Sequence, residues 1–397
     1  MNFSSKNKIK YVIRLLLTSV LVGVACGVTG AAFTKAIRFV TALRADHSWL
    51  VYLLPLGGLA TVAIFRLFKT EGAGTKTVLS STLGGNQVSP ALLPSIFSGT
   101  VIGHLFGASV GREGAALQIG GAISSLISKL LHSDEESRRI LTVCGMGATF
   151  SALFGAPLGA CVFAVEVLRN LKFGLISLVP TLVSSFTAYG IALLMGESGE
   201  NFEIHSVPAF DFSTLWRVVV ISAATGIVGY IFCRSLNLSE HYATKLIKNP
   251  YIRILAGGII VILLTVVIGN TDYNGGGIFV IERILESGTV IPYAFLLKIL
   301  FTVISNSAGY KGGEIVPSFF IGATSGATVA GFIGLSVPFG AAVGMSAIFS
   351  AVTNCPIATL FICAEVMGIE ALPFFIVSSI ISAIVSGKTS LFHSSKE

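Results

Sequence analysis

Residues 145–168 read GMGATFSALFGAPLGACVFAVEVL, and residues 344–367 read GMSAIFSAVTNCPIATLFICAEVM. The two stretches align without a gap at an offset of 199, and nine of their 24 positions are identical, Pro157/Pro356 and Glu166/Glu365 among them. Upstream, GREGAALQIGGA from Gly111 and GGEIVPSFFIGA from Gly312 match more loosely, at an offset of about 201. Matches in register at this density predict a chain of two homologous halves, residues 1–200 and 201–397.

Composition says what medium these halves occupy. Of 397 residues, 53% are hydrophobic and 11% charged, with a mean hydropathy of +0.85. A soluble domain carries about 25% charged residues. Clear apolar runs cover residues 11–33, 50–67, 175–194, 218–232 with its flanks, 254–268 and 374–385. They suit a hydrocarbon core about 30 Å thick, which takes about 20 helical residues to cross. Lipid offers backbone groups no hydrogen bonds, so spans are helices or a closed barrel. Long unbroken runs, rather than alternating ten-residue segments, exclude the barrel. The expectation is an all-α polytopic membrane protein.

The first apolar run is too long for a signal-peptide core and has no small-residue cleavage site close behind it. The net charge of +7 does not gather into one patch, so no nucleic-acid partner is expected. The basic ends, SSKNKIKYVIR and GKTSLFHSSKE, instead predict cytoplasmic termini under the positive-inside bias. Cys26, Cys144, Cys161, Cys233, Cys355 and Cys363 show no CxxC spacing and read as small core residues. No metal site and no cofactor are expected.

Three glycine-rich clusters interrupt the apolar pattern: EGAGTKT at 71–77, GREG at 111–114 and KGGEIVP at 311–317. Each precedes an apolar run, so each can open a helix whose first N–H groups lack intrahelical partners. Such ends converging on one point would hold an anion without a buried cation. Glycines also serve tight helix packing in lipid, but three clusters, each with a charge and set within a repeat, favour the ligand reading. GAGTKT lacks the GxxxxGK[ST] spacing of a phosphate loop, which removes a nucleotide site.

Glu113 is the charge that most needs explaining, because a carboxylate at the bilayer centre costs about 2.5–3.5 kcal/mol. At an anion-coordinating helix end it can occupy the site as a tethered anion and leave on protonation, acting as gate and proton carrier together. The alternative is a solvated loop pair with Arg112, worth little.

At these residues the chain resembles the CLC family of chloride channels and chloride/proton antiporters. GREGAALQIGG is similar to its GREGP-type motif, with Ala115 where proline is usual, and GGEIVPSFFIGA to its GxFxP-type motif. GAGT is similar to its GSGIP-type motif, and the closing SGKTSLF to its tail. The resemblance covers nearly the whole chain. It implies two inverted repeats of tilted, broken helices, a homodimer with a pore in each subunit, and a bacterial-type protein with no regulatory domain after the membrane part.

Carried over by position, the resemblance makes Glu113 the gate and the amides of Arg112, Glu113 and Gly114 an outer anion site. The amides of Glu314 and Ile315 would line the central one. Two hydroxyls of the family pattern are absent here: Ala73, beside Gly74, replaces a serine, and Phe392 replaces a tyrosine. Val167 stands where the family's antiporters carry an inner glutamate, which argues for passive conduction. Glu314, where the family usually has an apolar residue, is like glutamates of the fluoride/proton branch and can supply an internal proton station. Its other reading is a helix N-terminal carboxylate satisfied by backbone N–H groups.

Glu166 and Glu365 read as structural or vestibule residues, and His104 as a packed core histidine. Ser109 and Thr75 remain possible anion contacts. The expected function is chloride transport by proton-coupled exchange with Glu113 as gate, with a fluoride/proton antiporter or a passive channel as the alternatives. A cation-coupled organic solute carrier would need inward groups for an organic moiety, and none is evident. Enzymatic activity is not expected, since there is no HExxH helix and no apposed pair of catalytic aspartates is apparent.

Overall fold

The computed structural model describes residues 5–204 and 206–392. Among the described residues there are sixteen α-helices and two short 3-10 helices. The chain opens with α1 (Ser5–Asp46), a 3-10 segment (Ser48–Leu53), α2 (Leu54–Leu67) and α3 (Thr75–Thr82). Then come α4 (Leu92–Phe106), α5 (Glu113–Leu130), α6 (Glu135–Phe154), α7 (Pro157–Glu166) and α8 (Leu171–Leu194). The later part holds α9 (Phe212–Leu246), α10 (Pro250–Ile268), α11 (Ile278–Ser287), α12 (Ala294–Ala308) and α13 (Ile315–Phe332). It ends with α14 (Val337–Thr353), α15 (Pro356–Met367), a second 3-10 segment (Ile369–Ala371) and α16 (Leu372–Ser386).

Among the described residues, seven helical stretches are long and apolar enough to cross a membrane. Six contain the runs read from the sequence. The seventh, Ile315–Phe332, begins directly after a glycine cluster, and 78% of its most apolar window is buried, against 28% for Pro250–Ile268. Others are too short to cross alone: α12 has 15 residues, about 23 Å of rise.

The order α4–α5–α6–α7–α8 recurs as α12–α13–α14–α15–α16 with the breaks in matching places. Gly107 (φ +84°) follows α4 and Gly309 (φ +108°) follows α12, where left-handed geometry closes each helix. The α6–α7 and α14–α15 breaks also match. Gly155 (φ +72°) and Asn354 (φ +55°) end the first helix of each pair, and Pro157 and Pro356 begin the second at its first turn. Proline has no N–H to leave orphaned there, which makes it a good helix starter.

By packing, the chain forms two compact units interleaved in sequence. One comprises Met1–Lys35, Gly72–Leu93 and Ala116–Glu200; the other comprises Ala36–Glu71, Pro94–Ala115 and Asn201–Glu397. In the first, α5 and α6 approach closely at Gly120 and Gly145, where an added Cβ would strike the facing backbone. In the second, α13 and α14 meet at Gly322, Gly326, Gly340 and Gly344; a Cβ on Gly326 would lie 2.8 Å from the Gly344 Cα. Small residues at four-residue spacing let backbones touch where lipid gives no hydrophobic drive to associate. All six cysteines are free and buried, as core residues should be.

Candidate functional site

Each of the three glycine clusters opens a helix. Glu113 is the first residue of α5, Glu314 caps α13, and Gly74 caps α3 in extended conformation (φ −164°). The helix after Gly74 has only eight residues and is largely polar, unlike the apolar run expected there.

The second unit contains two of these breaks, and they pair with each other. The Gly111 N–H donates to the Gly313 carbonyl (2.6 Å) and the Gly313 N–H to the Gly111 carbonyl (2.7 Å), forming an isolated antiparallel bridge. Backbones this close leave no room for side chains. A Cβ on Gly114 would stand 2.9 Å from the Gly313 Cα, and one on Gly312 2.6 Å from the Gly111 carbonyl oxygen.

Glu113 is fully buried beside this bridge. Its Oε2 accepts from the Arg112 N–H (3.0 Å) and from the Val316 N–H (3.3 Å), the latter 203 residues away. Val316 is the second residue of α13, so the carboxylate rests on one of the orphan donors at that helix's positive end. Its Oε1 stands 3.7 Å from Arg112 Nε and has no hydrogen-bond partner among the described residues. Burial excludes the solvated loop pair that was the alternative reading. A buried charge with one oxygen unmet is held at a cost.

Glu314 sits at the equivalent place before α13 but in another environment. It is half-buried and makes no side-chain cap. Its Oε1 instead accepts from Asn306 Nδ2 of α12 (2.5 Å). The cap reading of Glu314 is thus replaced by a contact with a neighbouring helix. Ile315 is buried at the first position of α13. Phe392, the last described residue, is 5% exposed; the tail reaching it is tied to the end of α14 by Leu391 N–H to Val352 O (2.8 Å) and Ser390 Oγ to Thr353 O (3.1 Å). Val167 is buried at the end of α7 in the other unit.

Ala73 and Gly74 also belong to that unit. Both are half-buried, the Gly74 N–H donates to Thr77 Oγ1 (3.2 Å), and Thr75 Oγ1 accepts from Gln118 Nε2 (3.3 Å). Ser109 is used in packing: its hydroxyl is 3.0 Å from Thr302 Oγ1 and its N–H donates to Ser305 Oγ (3.0 Å). His104 is a core residue, its Nδ1 2.9 Å from the Thr100 carbonyl one turn back.

Sequence reading missed three contributors. Val316 supplies the amide that holds Glu113, one residue beyond those expected. Asn306 holds Glu314. Lys298, fully buried on α12, donates to the carbonyls of Tyr273 (3.1 Å) and Gly275 (2.6 Å). The Gly275 N–H in turn donates to Ala108 O (3.1 Å), Asn274 Nδ2 donates to Gly107 O (3.0 Å), and Arg44 Nη1 to His104 O. The break before Glu113 is thereby gripped from several sides. The one available signal was Lys298 as the sole charge within an otherwise apolar and small-polar helix.

Fold and site together define a polytopic helical membrane protein whose interrupted helices hold a buried carboxylate at a helix N-terminus. The family model described as voltage gated chloride channel matches residues 57–387, and the chain belongs to that family, the CLC family. It is 31% identical over 395 residues to a chloride/fluoride channel protein of Pseudomonas syringae pv. tomato, covering 97% of this chain and 87% of that one. It is 26% identical to the H(+)/Cl(-) exchange transporter ClcA of Vibrio cholerae, covering 91% and 83%. The crystal structure of a CLC-type fluoride/proton antiporter superposes with a TM-score of 0.91 at 30% identity, covering 96% of this chain and 97% of that one. A slow cyanobacterial Cl-/H+ antiporter shares the fold, with a TM-score of 0.78 at 22% identity over 94% of each chain.

Proposed function

We infer that this CLC-type anion transport runs as exchange of a halide for protons, with Glu113 as gate. The observation that carries the reading is the Glu113 carboxylate seated on the Val316 N–H. A carboxylate and a halide need the same donors there, so each excludes the other. Protonation removes the negative charge that favours the seat and frees it for the anion. The amides of Arg112, Glu113, Gly114, Glu314 and Ile315 are the remaining backbone donors of the proposed pathway. Phe392 is a proposed edge of it, without a side-chain hydroxyl; Ala73 and Gly74, which precede α3 in the other unit, are proposed anion contacts there. Glu314, held by Asn306, is the internal proton station in place of the glutamate missing at Val167.

Between halides, fluoride is favoured over the chloride expected from the sequence. Ala73, Val167 and Glu314 all leave the chloride pattern, and the solved structure at 30% identity is named for fluoride alone, while the Pseudomonas relative is named for both chloride and fluoride. Chloride remains the second reading on the name of the Vibrio relatives. The protein acts as a carrier rather than an enzyme and uses no cofactor or metal. It sits in the cell membrane with cytoplasmic termini, as a homodimer of chains whose inverted repeats are residues 1–200 and 201–397.

Purified protein in liposomes loaded with fluoride or chloride, with a potassium ionophore clamping voltage, tests this. Fluoride efflux should drive protons uphill against their gradient. Anion efflux with no proton movement would overturn exchange, and chloride efflux outpacing fluoride would overturn the halide preference.

A further inference from the structure

At the start of α1 a groove of roughly 410 Å³ runs beside the end of α5. Its floor is apolar, with Ile13, Leu17 and Leu21 from successive turns of α1 joined by Leu131. Its rim carries Lys10 and Arg14, one turn apart on the same helix stripe, and no carboxylate among the described residues lines it. Leu17 is 66% exposed and Ile13 52%, so protein does not fill the floor. Arg14 is not idle: its Nη2 donates to the Leu131 carbonyl (2.8 Å), just past the end of α5. A cation suits that negative helix end. The bond fixes the guanidinium over the groove while its other N–H groups stay available.

Lipid-facing helix surface is apolar at membrane depth, with cations gathered at its ends. Here two positive groups top an apolar channel in a chain whose sequence adds Lys6 and Lys8 just upstream. A molecule matching both parts carries an anionic head and a hydrocarbon tail. We propose that the groove binds one anionic phospholipid, its phosphate between Lys10 and Arg14 and an acyl chain along Ile13, Leu17 and Leu21. The same lipid would steady the far end of α5, the helix whose first residue is Glu113.

Native mass spectrometry of the detergent-purified full chain, titrated with phosphatidylglycerol or phosphatidylcholine, tests the site. One phosphatidylglycerol per chain should be retained about 30-fold more tightly than phosphatidylcholine, the preference that two such cations provide. The double variant Lys10→Gln, Arg14→Gln should lose that preference. Lys245→Gln, which removes an exposed cation from the last turn of α9, should keep it. Equal retention of both lipids by the unaltered protein, or an unchanged preference in the double variant, would overturn the proposal. Should the double variant fail to fold, Leu17→Trp, which fills the floor and keeps both cations, must expel the lipid; its retention would overturn the proposal equally.

Discussion

The breaks before α5 and α13 hold the same place in the two halves, and each carries a glutamate at the start of a helix. They treat that glutamate in opposite ways. Glu113 is sealed from solvent and reaches across to the other break's helix, where its carboxylate accepts from the Val316 N–H. Glu314 stays half-buried and turns to Asn306 on the preceding helix. The carboxylate that crosses thus comes from one break, and the N–H that receives it from the helix after the other. A repeated backbone became an asymmetric device because a single side chain crosses the Gly111–Gly313 bridge.

The largest expected effect comes from erasing the difference. Glu113→Gln keeps the size and removes the charge, so proton movement in liposomes should fall about 100-fold or more while anion efflux continues. Surviving proton exchange would mean the two glutamates are interchangeable after all.

The bridge is the next point to strike. A methyl in Gly313→Ala would collide with the Gly114 backbone nitrogen and stand 3.1 Å from the Gly114 Cα and 3.2 Å from the Glu113 nitrogen. Overpacking there should destabilise the protein by about 1–3 kcal/mol, read as a lower melting temperature, and should slow anion efflux. Gly74, extended and with nothing within 4 Å of an added Cβ, is the control. Gly74→Ala should shift stability by less than about 0.5 kcal/mol.

A milder change sharpens the role of the second glutamate. Glu314→Gln still offers an oxygen to Asn306 but cannot carry a proton. Exchange should slow by roughly tenfold, one order less than at Glu113, with anion efflux retained; unchanged exchange would leave Glu314 a structural residue. At the paired helix ends the two positions should respond differently. Asn354→Gly should change stability by only a few tenths of a kcal/mol, since both residues tolerate left-handed geometry. Gly155→Ala should cost about 1 kcal/mol or more in a thermal melt, because its Cβ would also collide with the Ser198 carbonyl oxygen and stand 3.1 Å from the Gly199 Cα.

Much of this was legible in the residues. Hydropathy alone located six of the seven candidate spans, since a crossing helix must be apolar along its length. The seventh, α13, escaped because glycines and Pro317 blur its beginning. The in-register match of 145–168 with 344–367 has a structural counterpart that the residues did not spell out: Gly155 and Asn354 end α6 and α14 with the same left-handed geometry. Glu113 stood out by its expense in lipid. The polar partners did not stand out: Asn306 is an ordinary residue for a helix end, and Val316 contributes only its backbone, which no side-chain pattern can announce.

The sequence by itself determined the solvent, the helices and the points where they stop, because these follow from local transfer energies and local φ preferences. Only the tertiary structure decided that Glu113 would meet an amide 203 residues away, that Gly111 would face Gly313, and that Lys298 would brace the loop behind them. Those choices depend on which chain segments can approach within hydrogen-bond distance, a property of packing that no local stretch encodes.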